Sequence, residues 1–138
     1  NRAIAQNKGI NIMVELFDKI PDVYIDPAKI EQVLNNLISN AIKFSDSGTT
    51  VTVSAFRSKD HVTVSVKDQG QGIPKEDIDK LFKPFSKLSV QSTAGEKSTG
   101  LGLTITRKII VGHGGKIWVE SEVNKGTTFY FSIPIEEK

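Results

Sequence analysis

The chain of 138 residues contains no cysteine, which excludes disulfide staples and thiolate metal sites and is compatible with a reducing compartment. It is long enough to bury a core as one domain without such staples. A large excess of either charge is also missing: 18 Lys and Arg against 16 Asp and Glu leave a net charge of +2. That balance gives no reason to expect nucleic acid as a partner, and no basic run interleaves with aromatics. No apolar run approaches the roughly 20 residues of a membrane span, so no direct membrane contact is expected. Internal repeats and low-complexity segments are missing too. The chain begins at Asn1 rather than Met, which reads as a piece of a longer protein. Residues Asn1 to Lys8 read as the end of a preceding helix or a linker, and 9–138 as a single domain.

What is present centres on Glu31 to Phe44, EQVLNNLISNAIKF. At about 100° per residue, Ile30, Val33, Leu34, Leu37, Ile38, Ala41 and Phe44 form one apolar stripe of a helix. Asn36, Asn40 and Lys43 gather along one edge of that stripe. Asparagine is a mediocre helix former, and a solvated flank would more naturally carry Glu, Lys or Ala. Two amides and an ammonium suit a metal ion or phosphate oxygens. Asp26-Pro27 marks the start of this helix, as N-cap and first helical residue.

Upstream, Ile10, Ile12, Val14 and Leu16 alternate as a strand with one buried face, and Tyr24-Ile25 reads as a short strand. Downstream, Thr50 to Phe56 and His61 to Asp68 predict a hairpin. Val62, Val64, Val66 and Asp68 share parity, so the carboxylate points to the face of three valines. An acid on an apolar face needs a partner, although Asp at a strand end also caps turns. Ile73 to Ile78 opens a short helix that runs out near Leu81-Phe82-Lys83-Pro84-Phe85. Ser86 to Thr99 carries no period, as a lid or binding loop would. Gly100-Leu101-Gly102 opens a helix closed by Gly112 and Gly114-Gly115, followed by strands at Lys116 to Ser121 and Thr127 to Pro134. His113 caps that helix or packs, and neither it nor His61 is given a catalytic role. Strands interleaved with three helices predict a two-layer α/β sandwich with the helices on one sheet face.

The glycine pairs in Asp68-Gln69-Gly70-Gln71-Gly72 and Ser98-Thr99-Gly100-Leu101-Gly102-Leu103 would let a ligand approach the backbone, and the amides at a helix start attract phosphate. Neither is a P-loop or a dinucleotide fingerprint. Taken in order, however, Asn36-Leu37-Ile38-Ser39-Asn40-Ala41-Ile42-Lys43-Phe44, Asp68 to Pro74, Phe82 to Phe85, Thr99 to Leu103, His113 to Ser121 and Gly126 to Pro134 closely resemble one family. It is the catalytic and ATP-binding domain of sensor histidine kinases, within the gyrase/chaperone-type ATPase superfamily, and the resemblance runs from about Gly9 to Pro134.

That resemblance implies a Bergerat-type fold, an α+β sandwich with a mixed, mostly antiparallel sheet of about five strands. It implies ATP and magnesium as ligands. Asp68 would accept the adenine amino group, with Gly70, Gly72 and Ile73 beside it; Asn40 would hold magnesium; Asn36 and Lys43 would lie near the phosphates, with Phe44 ending their helix. Thr99, Gly100, Leu101, Gly102 and Leu103 would cradle the phosphate chain, and Lys87, two residues after Phe85, would reach the terminal phosphate. Ser98 departs from the glycine that many relatives carry. The implied activity is transfer of the γ-phosphate to a histidine on a separate dimerisation domain of the same protein, with a response-regulator receiver domain as the onward partner, in the cytoplasm. The alternatives are a hydrolytic or serine-directed member of the superfamily, or a nucleotide-binding pseudokinase. Hydrolytic relatives usually carry Glu four residues before the magnesium Asn. Asn36 stands there and cannot take a proton.

Overall fold

The computed structural model describes residues 9–16, 25–78, 81 and 102–135. Strands β1 (Asn11–Leu16), β2 (Thr50–Ser58), β3 (His61–Lys67), β4 (Lys116–Glu122) and β5 (Gly126–Pro134) form one sheet in the order β1-β2-β3-β5-β4. β1 runs parallel to β2 and every other pair is antiparallel, so the sheet is mixed and mostly antiparallel, as expected. The described helices are α1 (Pro27–Lys43), α2 (Lys75–Ile78) and α3 (Gly102–Gly112).

Register places the apolar residues in rows that cross the sheet. Val14, Val53, Val66, Phe129 and Val119 stand abreast, and beside them Ala55, Val64, Phe131 and Ile117. The α1 stripe lies on these rows, burying Val33, Leu37 and Ala41 against Val51, Val66, Phe129, Phe131 and Ile133, while α3 adds Ile110. The opposite face alternates Thr and Ser with a few aromatics, among them Trp118, which stacks on Tyr130 at 5.3 Å between ring centroids and 7° between planes. Ile42 lies off the predicted stripe, yet it is buried too.

Chain ends of elements follow local chemistry. Asp26 is the N-cap of α1, its Oδ1 accepting from the backbone of Ala28 at 3.1 Å and Lys29 at 3.3 Å, with Pro27 at the first helical position. The β4–β5 turn closes over Val123 to Lys125, with Asn124 in the left-handed region at φ 68°. His113 does cap α3: its Nδ1 donates to the Ile109 carbonyl at 2.8 Å, which fixes the proton there. Nε2 then accepts from the backbone N–H of Asp26 at 3.0 Å, so one ring joins the end of α3 to the start of α1. His113→Ala should therefore lower stability by about 1 kcal/mol, read as a fall in urea midpoint with an unchanged slope.

Two strand expectations need correction. Ile25 is not in a strand; it is 37% exposed and leads directly into the Asp26 cap, whose geometry claims the chain there. Tyr24 lies outside the described residues. The buried parity holds at Ile10, just before β1, and at Ile12 but fails at Val14, which is 58% exposed on a strand that, among the described residues, pairs on one side only.

Candidate functional site

Asp68 leaves β3 where the sheet meets the end of α1, and it is 4% exposed. Its backbone N–H still pairs with the Thr127 carbonyl at 2.8 Å. Its Oδ1 accepts from the backbone of Gly70 at 2.9 Å and of Thr127 at 3.1 Å. Among the described residues no hydrogen bond ends on Oδ2. One oxygen thus fixes the turn, and the other is a buried acceptor that no described residue occupies. Burial raises the Asp68 pKa above the ordinary carboxylate value, and the two amides pull it back.

The segment after Asp68 is fastened at several points. Gln69 Oε1 accepts from Thr50 N at 2.9 Å, Gln71 N reaches the Phe44 carbonyl at 3.4 Å, and Asn124 N donates to the Gln71 carbonyl at 2.7 Å. Ile73 N donates to Ser121 Oγ at 2.7 Å. The glycines also answer a demand of the fold itself. A Cβ on Gly70 would sit 2.0 Å from the Phe44 carbonyl oxygen, and one on Gly72 2.2 Å from that of Glu122. It is the protein's own backbone, from α1 on one side and the β4–β5 turn on the other, that approaches these residues.

On α1, Asn36, Asn40 and Lys43 are all half-buried along one flank. Asn36 Nδ2 donates to Thr106 Oγ1 of α3 at 3.2 Å, which draws the amide-bearing helix and the glycine-box helix together. Thr106 is fully buried. The side-chain amide of Asn40 makes no hydrogen bond among the described residues. Those residues also hold no group of three His, Asp or Glu able to cage a metal. One amide oxygen without a partner among the described residues would suit a hard cation that keeps its waters and shares substrate phosphates.

Leu103 is half-buried against the core at the start of α3, behind Gly102, and Ile73 packs on the same core. Phe82, Phe85, Lys87, Ser98, Thr99, Gly100 and Leu101 lie outside the described residues. Sequence reasoning overlooked Thr127 and Ser121, which reach the Asp68 loop only through the pairing of β4 and β5 with β3.

The histidine kinase-, DNA gyrase B- and HSP90-like ATPase family model matches residues 25–137. An adaptive-response sensory kinase, SasA of Prochlorococcus marinus, is 40% identical over 134 residues, 96% of this chain but 35% of that protein. The catalytic domain of the histidine kinase ThkA superposes with a TM-score of 0.81 at 36% identity, covering 96% of this chain and 85% of that one. Full-length ShkA in complex with AMPPNP gives a TM-score of 0.85 at 28% identity, over 99% of this chain and 28% of that one. ThkA has also been solved in complex with the response regulator TrrA. The chain belongs to the histidine kinase-, DNA gyrase B- and HSP90-like ATPase family and, within it, to the histidine-kinase catalytic domains. It spans about a third of the length of the SasA relatives it matches.

Proposed function

We propose that this chain is the catalytic, ATP-binding part of a sensor histidine kinase. It binds magnesium–ATP and presents the γ-phosphate to a histidine on a dimerisation domain of the same protein, from which a receiver domain takes it. The observation that carries the reading is Asp68, a carboxylate 4% exposed, held through Oδ1 by two backbone amides and left with Oδ2 to accept an exocyclic amino group. Asn40, with its uncommitted amide, is the magnesium ligand, and Lys43, Lys87 and the amides of Gly100 to Leu103 serve the phosphates. Magnesium would offset the negative charge that phosphoryl transfer concentrates on its oxygens. Asn36 spans α1 and α3 through Thr106 and has no basic atom with which to activate water, which favours transfer over hydrolysis. The complexes of ShkA with AMPPNP and of ThkA with TrrA support the ligand and the receiver partner. No described helix is long and apolar enough to cross a membrane, and we place the domain in the cytoplasm as part of the same proposal.

The test is radiolabelled ATP with this chain, alone and with the dimerisation domain of its own protein. Label should appear on the added domain, be lost in acid and survive alkali, as phosphohistidine does. Asn40→Ala should remove both the labelling and the magnesium dependence of ATP binding while leaving the fold intact. Acid-stable label on this chain, or brisk phosphate release without the partner, would establish the hydrolytic or serine-directed alternative.

A further inference from the structure

We propose that Ser121 is the positioning residue of the adenine end of the site, setting nucleotide selectivity through groups it holds rather than by touching the ligand. This rests on the adenine role given to Asp68 above. Ser121 stands on β4 with the parity of Ile117 and Val119, so its side chain faces the helices and the Asp68 loop, while Trp118 and Glu120 point the other way. A β-branched apolar residue would pack better at such a position. The hydroxyl has other partners. Its oxygen accepts from Ile73 N at 2.7 Å, its proton goes to the Gly126 carbonyl at 3.1 Å, and Thr127 Oγ1 lies at 2.7 Å. With the serine proton on Gly126, the Thr127 hydroxyl donates to Ser121, so one atom accepts twice and donates once.

These partners are the two ends of the Asp68 assembly. Ile73 closes the loop whose first turn is the Asp68 Oδ1–Gly70 N bond. Thr127 supplies the second amide that aims the carboxylate. The middle of the loop is held by backbone bonds to Phe44 and Asn124, which fix its path but not the carboxylate. Ser121 is the side chain that couples the loop's exit to the strand carrying Thr127. Without it, the part-buried Ile73 N–H has no acceptor, and the Gly126–Thr127 peptide, whose N–H donates to Asp68 Oδ1, loses the hydroxyl that holds its carbonyl. Oδ2 then loses its fixed direction.

Adenine offers an amino group to Oδ2, whereas guanine offers a carbonyl oxygen at that position. Loosening Asp68 should therefore weaken ATP and leave GTP, which never gained the bond, where it was. In calorimetric titrations of this chain, Ser121→Ala should bind ATP roughly tenfold more weakly with GTP affinity unchanged. Ser121→Thr, which keeps the hydroxyl, should restore the preference. Amide exchange at Ile73 and Thr127 should quicken in Ser121→Ala, with Leu37 and Phe131 unaffected. Should the alanine variant fail to fold, Ser121→Cys, of similar shape but a weaker acceptor, carries the same expectation. A wild-type chain that binds ATP and GTP equally would overturn the adenine reading itself. A selective wild type beside an equally selective Ser121→Ala, or a variant that weakens both nucleotides alike, would overturn the role of Ser121 alone.

Discussion

Gly70→Ala is expected to abolish ATP binding and to destabilise the domain by about 3 kcal/mol or more. The new methyl would lie 2.0 Å from the carbonyl oxygen of Phe44 and 2.8 Å from its carbon, both backbone atoms at the end of α1 that no rotamer change can move. It would also stand 3.3 Å from Asp68 Oδ1, the oxygen that the Gly70 amide holds. Relief requires the loop to move away from α1, which breaks the Gln71–Phe44 bond and swings the carboxylate out of its bed. Gly112→Ala is the control: its Cβ meets nothing within 4 Å, and it should leave ATP binding intact. Urea unfolding and ATP titration of the two variants give both readings.

Asp68→Asn should act in opposite directions on binding and on folding. The amide keeps the shape and one acceptor oxygen, but it turns an NH2 toward the adenine amino group, donor against donor. ATP affinity should fall by about 2 kcal/mol, roughly thirtyfold, and GTP should gain relative to ATP. The unliganded fold should not suffer, because burial raises the Asp68 pKa and the ionised side chain is a cost to the folded state. The sign follows from the raised value. Between the ordinary pKa of 3.8 and the higher folded one, the native state binds more proton than the unfolded state. The contribution of Asp68 to stability is thus fully present below the ordinary value and is lost as pH rises through the folded one. In the proposed role ATP needs the ionised carboxylate, so its affinity should drop on acidification at a pH above that of an ordinary aspartate. That step should vanish in Asp68→Asn. Titrations carried from neutral into acid solution, with thermal melts at each pH, would show the two effects parting.

The elements with a strong local signature were legible without coordinates. The α1 stripe, its Asp26-Pro27 start and the β2–β3 hairpin each follow from residues near in sequence, and the structure places them as read. Asp68 was legible because an acid in the parity of three valines is a contradiction that only burial with a partner resolves. What escaped depends on contacts between distant segments. The glycines at 70 and 72 gave no sign that the backbone of Phe44 and Glu122 comes so close to them. Ser121 and Thr127 had no signal of their own, since serine and threonine are ordinary on strands until register brings them beside Asp68. Val14 misled for a related reason: alternation predicts which face a residue takes, not whether an edge strand is covered.

The Trp118–Tyr130 stack gives the chain a built-in optical gauge. Trp118 is the only tryptophan in the sequence, and it sits on the sheet face away from both Asp68 and the helices. Its emission depends on edge strand β4 staying paired with β5, since the ring stacks on Tyr130 only while the two keep register. Nucleotide bound at Asp68, as proposed, would arrive on the opposite face and should leave that environment unchanged. Intrinsic fluorescence therefore follows unfolding without a signal from occupancy, and the displacement of its transition by added ATP measures binding through linkage alone.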